Sequence, residues 1–553
     1  RLNWIRLYEF DFQYLKEHMF ISIAHEIYRY TLNESLTETR SGENKALKIF
    51  LSHAKDGKNG IRLAQALKSF IDNSTMDNFF DATDIVPGYE FSNEIIEHIK
   101  QSTVIAIHSD SYSSRYWCQR EIISAKEHNR PIVAVDSIEE FEDRRFPFAS
   151  NVPYVYVHME GEPTKNDLLR ILEATLVETL RFHYSKLVLK EVSQAGWIKS
   201  DSLLRARPPE VSDVSRIFTK NGDNIFLIHN TLIYPEPPVY TEELVFLKNL
   251  GIEIDTPLTC NICNLQGRRI GISVSDPSDE ELVALGLNKD HLTITAQDLA
   301  RHLLIREATL VYGGDLRQDG FTEFIFDEAH ALQARTKSQK IYVENNIAWP
   351  IYKKDAEQAK LWKAKYRSIA RMIELEPPED IDDLIISKDQ YLPPTNAKNS
   401  FAWSRCLTDM RQKMIKSCDV RISAGGRHSG YKGRLPGVLE EILIALEMEK
   451  PIFLLGGFGG VTASICMLIQ NEEEPQELSE DWQIQHNPGY KDMLDFCLSR
   501  GIKHDVDYLS IKEKLKQADL RNGLSKEDNL KLFKTPFVEE ALYLIFKGLQ
   551  VIC

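Results

Sequence analysis

The sequence predicts an α/β protein of two or three domains. The first is a doubly wound parallel sheet of five strands, and a second strand and helix alternation follows it. Three observations carry this. The 553 residues exceed what one hydrophobic core organises. Hydrophobic residues make up 43% of the chain, which supports folded domains throughout. From Ala46 onward, short apolar runs alternate with amphipathic stretches, the pattern of parallel strands joined by crossover helices.

Residues 1–45 form a helical segment around Phe20 to Tyr30, with a polar linker from Asn33 to Asn44. The first domain spans 46–186. Its strands are Leu47–Leu51, a short run near Asn78–Phe80, Thr103–Ile107, Pro131–Val135 and Tyr154–Val157, with helices at Ile61–Phe70 and Ser92–Lys100. The run Val104-Ile105-Ala106-Ile107 reads as a strand covered on both faces, and Ser113 or Ser114 is expected to cap the helix that follows. Residues 187–260 read as an ordered connector. Arg207-Pro208-Pro209 and Tyr234-Pro235-Glu236-Pro237-Pro238 break regular elements there, leaving a strand at Ile225–Ile228 and a helix after Thr241. The second domain occupies 261–553, with strands at Ile270–Val274, Thr309–Tyr312 and Val420–Ser423, each ending near Gly- or Ser-rich turns.

A formal charge of −15 disfavours nucleic acid as a partner, although a local basic pocket for a small nucleotide is compatible with it. No apolar run approaches the ~20 residues of a membrane-spanning helix. The chain begins at Arg1, and Glu9, Asp11, Lys16 and Glu17 interrupt its early apolar residues, which is unlike a signal peptide. The eight cysteines are scattered, and Cys260 and Cys263 form the only close pair, so free thiols in a cytoplasmic protein are expected and no metal site.

The stretch Ser111–Glu121 ends a strand and opens a helix on which Trp117 and Glu121 lie four residues apart on one face. Cys118, Ile122 and Ala125 occupy the sheet-facing side. Together with Ile49-Phe50-Leu51-Ser52-His53 and Asp56, Phe79-Phe80-Asp81, and the loop Asp84-Ile85-Val86-Pro87-Gly88, it makes residues 46–186 resemble a TIR domain of the bacterial type. The resemblance implies a flavodoxin-like fold. It also implies that Glu121 is the catalytic residue for cleaving the bond between nicotinamide and ribose, with NAD as substrate rather than cofactor. Phe50, Ser52, His53, Asp81 and Trp117 are the implied substrate-binding residues. Trp117 or Phe50 would supply a flat surface for nicotinamide, and Ser52 and His53 bonds to sugar or phosphate. In such domains the loop at 84–90 moves and contacts a neighbouring subunit, and sites become complete on oligomerisation.

Residues 261–553 resemble a SLOG domain, Rossmann-like and related to nucleotide-processing LOG proteins. The residues that carry this are Tyr312-Gly313-Gly314-Asp315-Leu316-Arg317 with Gly320-Phe321-Thr322-Glu323, and Ala424-Gly425-Gly426-Arg427 running on through Lys432 and Arg434 to Pro436-Gly437-Val438-Leu439-Glu440-Glu441. Glycines after strands let backbone approach a phosphate. The implied ligand-binding residues are Gly313, Gly314, Asp315, Arg317, Thr322, Gly425, Gly426, Arg427, Lys432, Arg434 and Glu440, and Gly456–Gly460 is expected to line the same pocket. Nine residues separate Gly426 from Pro436, and Val438 or Leu439 stands where LOG enzymes carry a threonine, so binding a nucleotide signal is expected in place of hydrolysis.

The combined expectation is an NAD glycohydrolase of bacterial antiphage defence, switched on by a nucleotide-type ligand and by assembly into a homo-oligomer or filament. Three alternatives stay open at this point: a cyclase making a cyclic ADP-ribose messenger, a non-enzymatic scaffold, and nucleotide hydrolysis by the second domain.

Overall fold

The computed structural model describes residues 12–34, 46–55, 59–74, 80–83, 91–141, 146, 149, 151–158, 161–194, 197–199, 201–210, 218–221, 224–227, 231–236, 245, 247–249, 251–260, 264–314, 320–336, 339–472, 474–501 and 506–553. The chain divides into two compact units, Arg1–Cys260 and Asn261–Cys553.

In the first unit five strands, β1 Leu47–His53, β2 Phe80–Thr83, β3 Thr103–His108, β4 Ile132–Asp136 and β5 Tyr154–Tyr156, form one sheet in the order β2-β1-β3-β4-β5. All four pairings are parallel. Every residue of β3 is buried, as a central strand covered by helices on both sides requires. The helices are α1 Leu15–Glu34, α2 Asn59–Asp72, α3 Phe91–Gln101, α4 Tyr116–Glu127 and α5 Lys165–Gln194. One face of the sheet buries Leu47, Ile49 and Leu51 against Leu63 and Leu67 of α2 and Leu169 and Leu172 of α5. The other buries Phe50, Val104 and Ala106 against Ile95 and Ile99 of α3 and Cys118, Ile122 and Ala125 of α4.

Three features differ from the sequence reading. Ile21, Ala24 and Tyr28 of α1 belong to the α2/α5-side core, so the N-terminal helix is part of the first unit. Helix α5 runs unbroken through position 186, because Phe182, Ser185 and Leu189 keep a buried stripe. In the connector, β6 Leu203–Leu204, β9 Thr231–Ile233 and β10 Glu253–Asp255 form a small parallel sheet in the order β10-β9-β6 around Leu232, Tyr234, Ile252 and Ile254. Strands β7 Phe218–Asn221 and β8 Asn224–Leu227 make an antiparallel hairpin there.

The second unit carries six strands, β11 Arg269–Ser275, β12 Thr309–Tyr312, β13 Val343–Ala348, β14 Ala370–Leu375, β15 Val420–Gly425 and β16 Ile452–Leu455, in the order β14-β13-β12-β11-β15-β16 and all parallel. Strands β12, β13 and β14 run out to one side of β11, and β15 and β16 follow on its other side, the Rossmann-like arrangement whose reversal lies between β11 and β15. Helices α6 Asp279–Ala284, α7 Lys289–Ile305, α8 Phe321–Thr336, α9 Trp349–Lys354, α10 Ala356–Lys365, α11 Ala397–Lys416, α12 Gly437–Glu447, α13 Gly460–Ile469 and α14 Glu480–His486 include those that frame its carboxyl edge. Among the described residues, no helix is long and apolar enough to cross a membrane.

Candidate functional site

The chain leaves β1 for β2 on one side and crosses to β3 on the other, so a crevice opens at the carboxyl ends of β1 and β3. Ser52 faces it from β1. Its hydroxyl donates to Glu121 Oε2 at 2.5 Å, and the Tyr112 hydroxyl lies 2.6 Å from Ser52 Oγ. A serine has one proton to give, so Tyr112 is the donor in the second bond, and the order is Tyr112 to Ser52 to carboxylate. Burial pushes the Tyr112 phenol well above its ordinary range, and Cys118 and the Glu121 charge add to this, so it stays protonated as a donor. The ring of His108, the last residue of β3, lies 4.3 Å from that of Tyr112.

Helix α4 starts later than expected. Tyr112–Ser114 form a short 3-10 turn, and the cap is Arg115, with extended backbone and no side-chain cap bond. Ser113 Oγ instead accepts from the Phe146 N–H at 3.0 Å, and Ser114 Oγ donates to the Ser111 carbonyl at 2.8 Å. Trp117 precedes Glu121 by one turn and is 48% exposed, with its ring edge-on to that of Tyr116 at 5.3 Å.

The other expected substrate contacts are not gathered here. Phe50 is buried in the α3/α4-side core and offers no open face. His53 follows Ser52, and strand alternation sends it to the α2/α5 side of the sheet. Asp81 pairs in register with Lys48, four residues and about 13 Å before Ser52 along the strand direction. Asp56, Phe79 and the loop Asp84–Gly88 lie outside the described residues, as do Asp315 and Arg317.

In the second unit a cavity of about 260 Å³ sits at the carboxyl ends of β11, β12 and β15, and Gly313, Gly314, Arg427 and Lys432 all line it. Gly314 N–H donates to Asn345 Oδ1 at 3.0 Å. Any side chain at Gly314 would collide with Thr322, whose Oγ1 is 2.1 Å from where a Cβ would stand. Thr322 itself is buried beside Gly314. Gly425 and Gly426 continue β15 into the loop that carries Arg427.

Arg434 and Glu440 do not line this cavity. Glu440 is fully buried and accepts from Thr408 Oγ1 at 2.6 Å, from Arg434 Nε at 2.8 Å and from Arg411. Burial alone would raise this carboxyl, but the charges of Arg411 and Arg434 outweigh it and the pKa is lowered. Next to it, Glu441 accepts from Ser273 and from the buried Arg421, whose Nε donates to Ser273 Oγ at 2.7 Å. Gly456–Gly460 does not line the cavity either. A Cβ on Gly460 would stand 2.3 Å from the Gly426 carbonyl, so the residue answers to close backbone packing.

A TIR domain family model matches residues 49–172, and a SLOG cluster2 model matches residues 264–532. The chain is a TIR–SLOG fusion. No curated protein matches it. Among solved structures, the structural-genomics target TM1055 aligns at 14% identity over 42% of this chain and 99% of its own, with a TM-score of 0.21, too low to bear on the argument.

The Glu121 group lies wholly within the TIR match, and the glycine-lined cavity within the SLOG match. Tyr112 in the TIR domain and Arg411, Arg421 and Glu441 in the SLOG domain are the residues that sequence reasoning missed. A tyrosine in a polar stretch between strand and helix was the one available signal for the first. The SLOG arginines lie on elements distant in sequence, and no local pattern marks them.

Proposed function

We propose that the TIR domain hydrolyses NAD, releasing nicotinamide, with Glu121 as the catalytic carboxylate. The observation that carries this reading is the Glu121 carboxylate held by Ser52 at the sheet's switch point, one helical turn from the exposed ring of Trp117. As the glycosidic bond breaks, positive charge builds on the ribose ring. A carboxylate fixed in advance stabilises that charge more than it stabilises intact NAD, and this differential lowers the barrier. Trp117 supplies an aromatic face of the kind that stacks on nicotinamide.

The SLOG cavity is the regulatory half of the proposal. Arg427 and Lys432 in its wall supply counter-charge for a phosphate, so a nucleotide is the signal. Binding favours an assembled form in which TIR domains from several copies come together and act, with NAD loss in an infected bacterial cell as the outcome. The test is to incubate the full chain with NAD and a panel of linear and cyclic nucleotides, following nicotinamide release and particle size together. Release that rises with particle size on adding one nucleotide supports the reading. NAD left intact at high protein concentration with every nucleotide contradicts it.

A further inference from the structure

A second, larger cavity of about 860 Å³ adjoins the glycine-lined one in the SLOG domain, and Arg427 belongs to the wall of both. The two have different chemistry. The smaller is glycine-lined and holds Lys432, whose ammonium sits 4.7 Å from the centre of the Trp403 ring. The larger contains an aromatic platform, Trp482 stacked on His486 at 3.9 Å with their planes 15° apart, and His428 meets Trp482 edge-on at 6.3 Å.

This wall is built in advance. His428 Nε2 lies 2.9 Å from Ser464 Oγ, and the Gly460 N–H donates to Glu281 Oε1 at 2.6 Å. Asp276, Asp279, Glu281, Glu474 and Glu477 line the larger cavity as carboxylates against Lys289, which Asp279 pairs at 3.1 Å, so this wall carries an excess of negative charge that disfavours phosphate and accepts from hydroxyls or exocyclic amines. Arg427 is exposed and stands in the wall that the two cavities share, so its guanidinium can reach a group lying between them.

Resting on the reading of the smaller cavity as a nucleotide site, we propose that the SLOG ligand is two-ended: two ring-bearing halves joined by a phosphate bridge that lies against Arg427. Three observations fix this class. The smaller cavity falls just short of the ~300–1,000 Å³ typical of small-molecule sites, so it takes one half only. The larger one has room for the other, with a stacking surface for a base. Its five carboxylates outnumber Lys289 and disfavour a terminal phosphate, so the phosphates stay at the shared arginine.

Calorimetric titration of the full chain with AMP, ADP, GMP and GDP, and with diadenosine and diguanosine diphosphate, tests this. One of the two-ended probes is expected to bind about tenfold tighter than the matching nucleoside diphosphate, the scale of one base stacking on an aromatic side chain. His486→Ala, at an exposed position, removes that advantage and leaves nucleoside diphosphate affinity unchanged, whereas Arg427→Ala weakens every probe. Equal affinity for one-ended and two-ended probes, or a His486→Ala chain that binds all of them as the parent does, overturns the two-ended ligand while leaving a nucleotide site intact. Failure of every probe to bind overturns the nucleotide reading itself, and this inference with it.

Discussion

Ser52 and Glu121, 69 positions apart in sequence, share a hydrogen bond of 2.5 Å that ties the carboxyl end of β1 to the second turn of α4. The bond fixes where the carboxylate points, and Tyr112 behind it fixes the serine. Ser52→Ala is therefore expected to lower nicotinamide release roughly 10- to 100-fold, the worth of a hydrogen bond to a charged group. Tyr112→Phe, one bond further out, should cost less. The double variant should cost less than the product of the two, because both act through one carboxylate.

In the SLOG domain, Lys432 and Arg434 separate two roles that look alike in sequence. Lys432 lines the cavity, whereas Arg434 donates to the buried Glu440. Lys432→Ala is expected to weaken nucleotide binding about tenfold and leave the melting temperature near that of the parent. Arg434→Ala should lower stability by about 1–3 kcal/mol and change affinity little. Titration calorimetry and thermal unfolding of the same preparations tell them apart.

Arg421 is 1% exposed and depends on Glu441 and Ser273. Removing the carboxylate strands a buried charge, so Glu441→Ala is expected to destabilise the chain by about 3–5 kcal/mol in denaturant titration. Replacing both partners together, Arg421→Met with Glu441→Leu, should recover much of that loss, since no unpaired charge then remains.

His183 of α5 packs near Tyr28, with ring centres 5.6 Å apart. Burial, then Lys186 and Arg130, pulls its pKa from 6.5 down to about 4. The unfolded chain takes up a proton near 6.5 and the folded one not until about 4, so protons favour unfolding between those values. The stability contributed by neutral His183 is complete above pH 6.5 and falls away as the pH drops towards 4. His183→Gln should flatten the denaturation midpoint against pH in that window, and an unchanged slope contradicts the assignment.

The five-stranded sheet was legible because its strands are continuous apolar runs separated by amphipathic helices. That Trp117 and Glu121 share one helix a turn apart was legible from their spacing. His53 was also decidable from sequence: once Phe50 and Ser52 face α3 and α4, alternation sends His53 to the opposite side. Phe50 was not, because whether an aromatic at a strand's end closes the core or lines a crevice depends on the helices laid over it. Glu440 looked like a ligand-facing residue at the start of α12, yet Thr408 and Arg411 reach it from α11, a contact created by packing alone. The connector's small sheet was hidden by its shortness, three residues or fewer per strand, and by the flanking prolines.

The acid in the TIR crevice is the centre of the proposed chemistry, and Glu121→Gln tests it most directly by removing the charge and keeping the shape. With the full chain, NAD and an activating nucleotide, nicotinamide release by this variant is predicted to fall by about 10²–10³-fold while particle size on activation matches the parent. Release at the parental rate from a normally assembled Glu121→Gln protein would contradict the account.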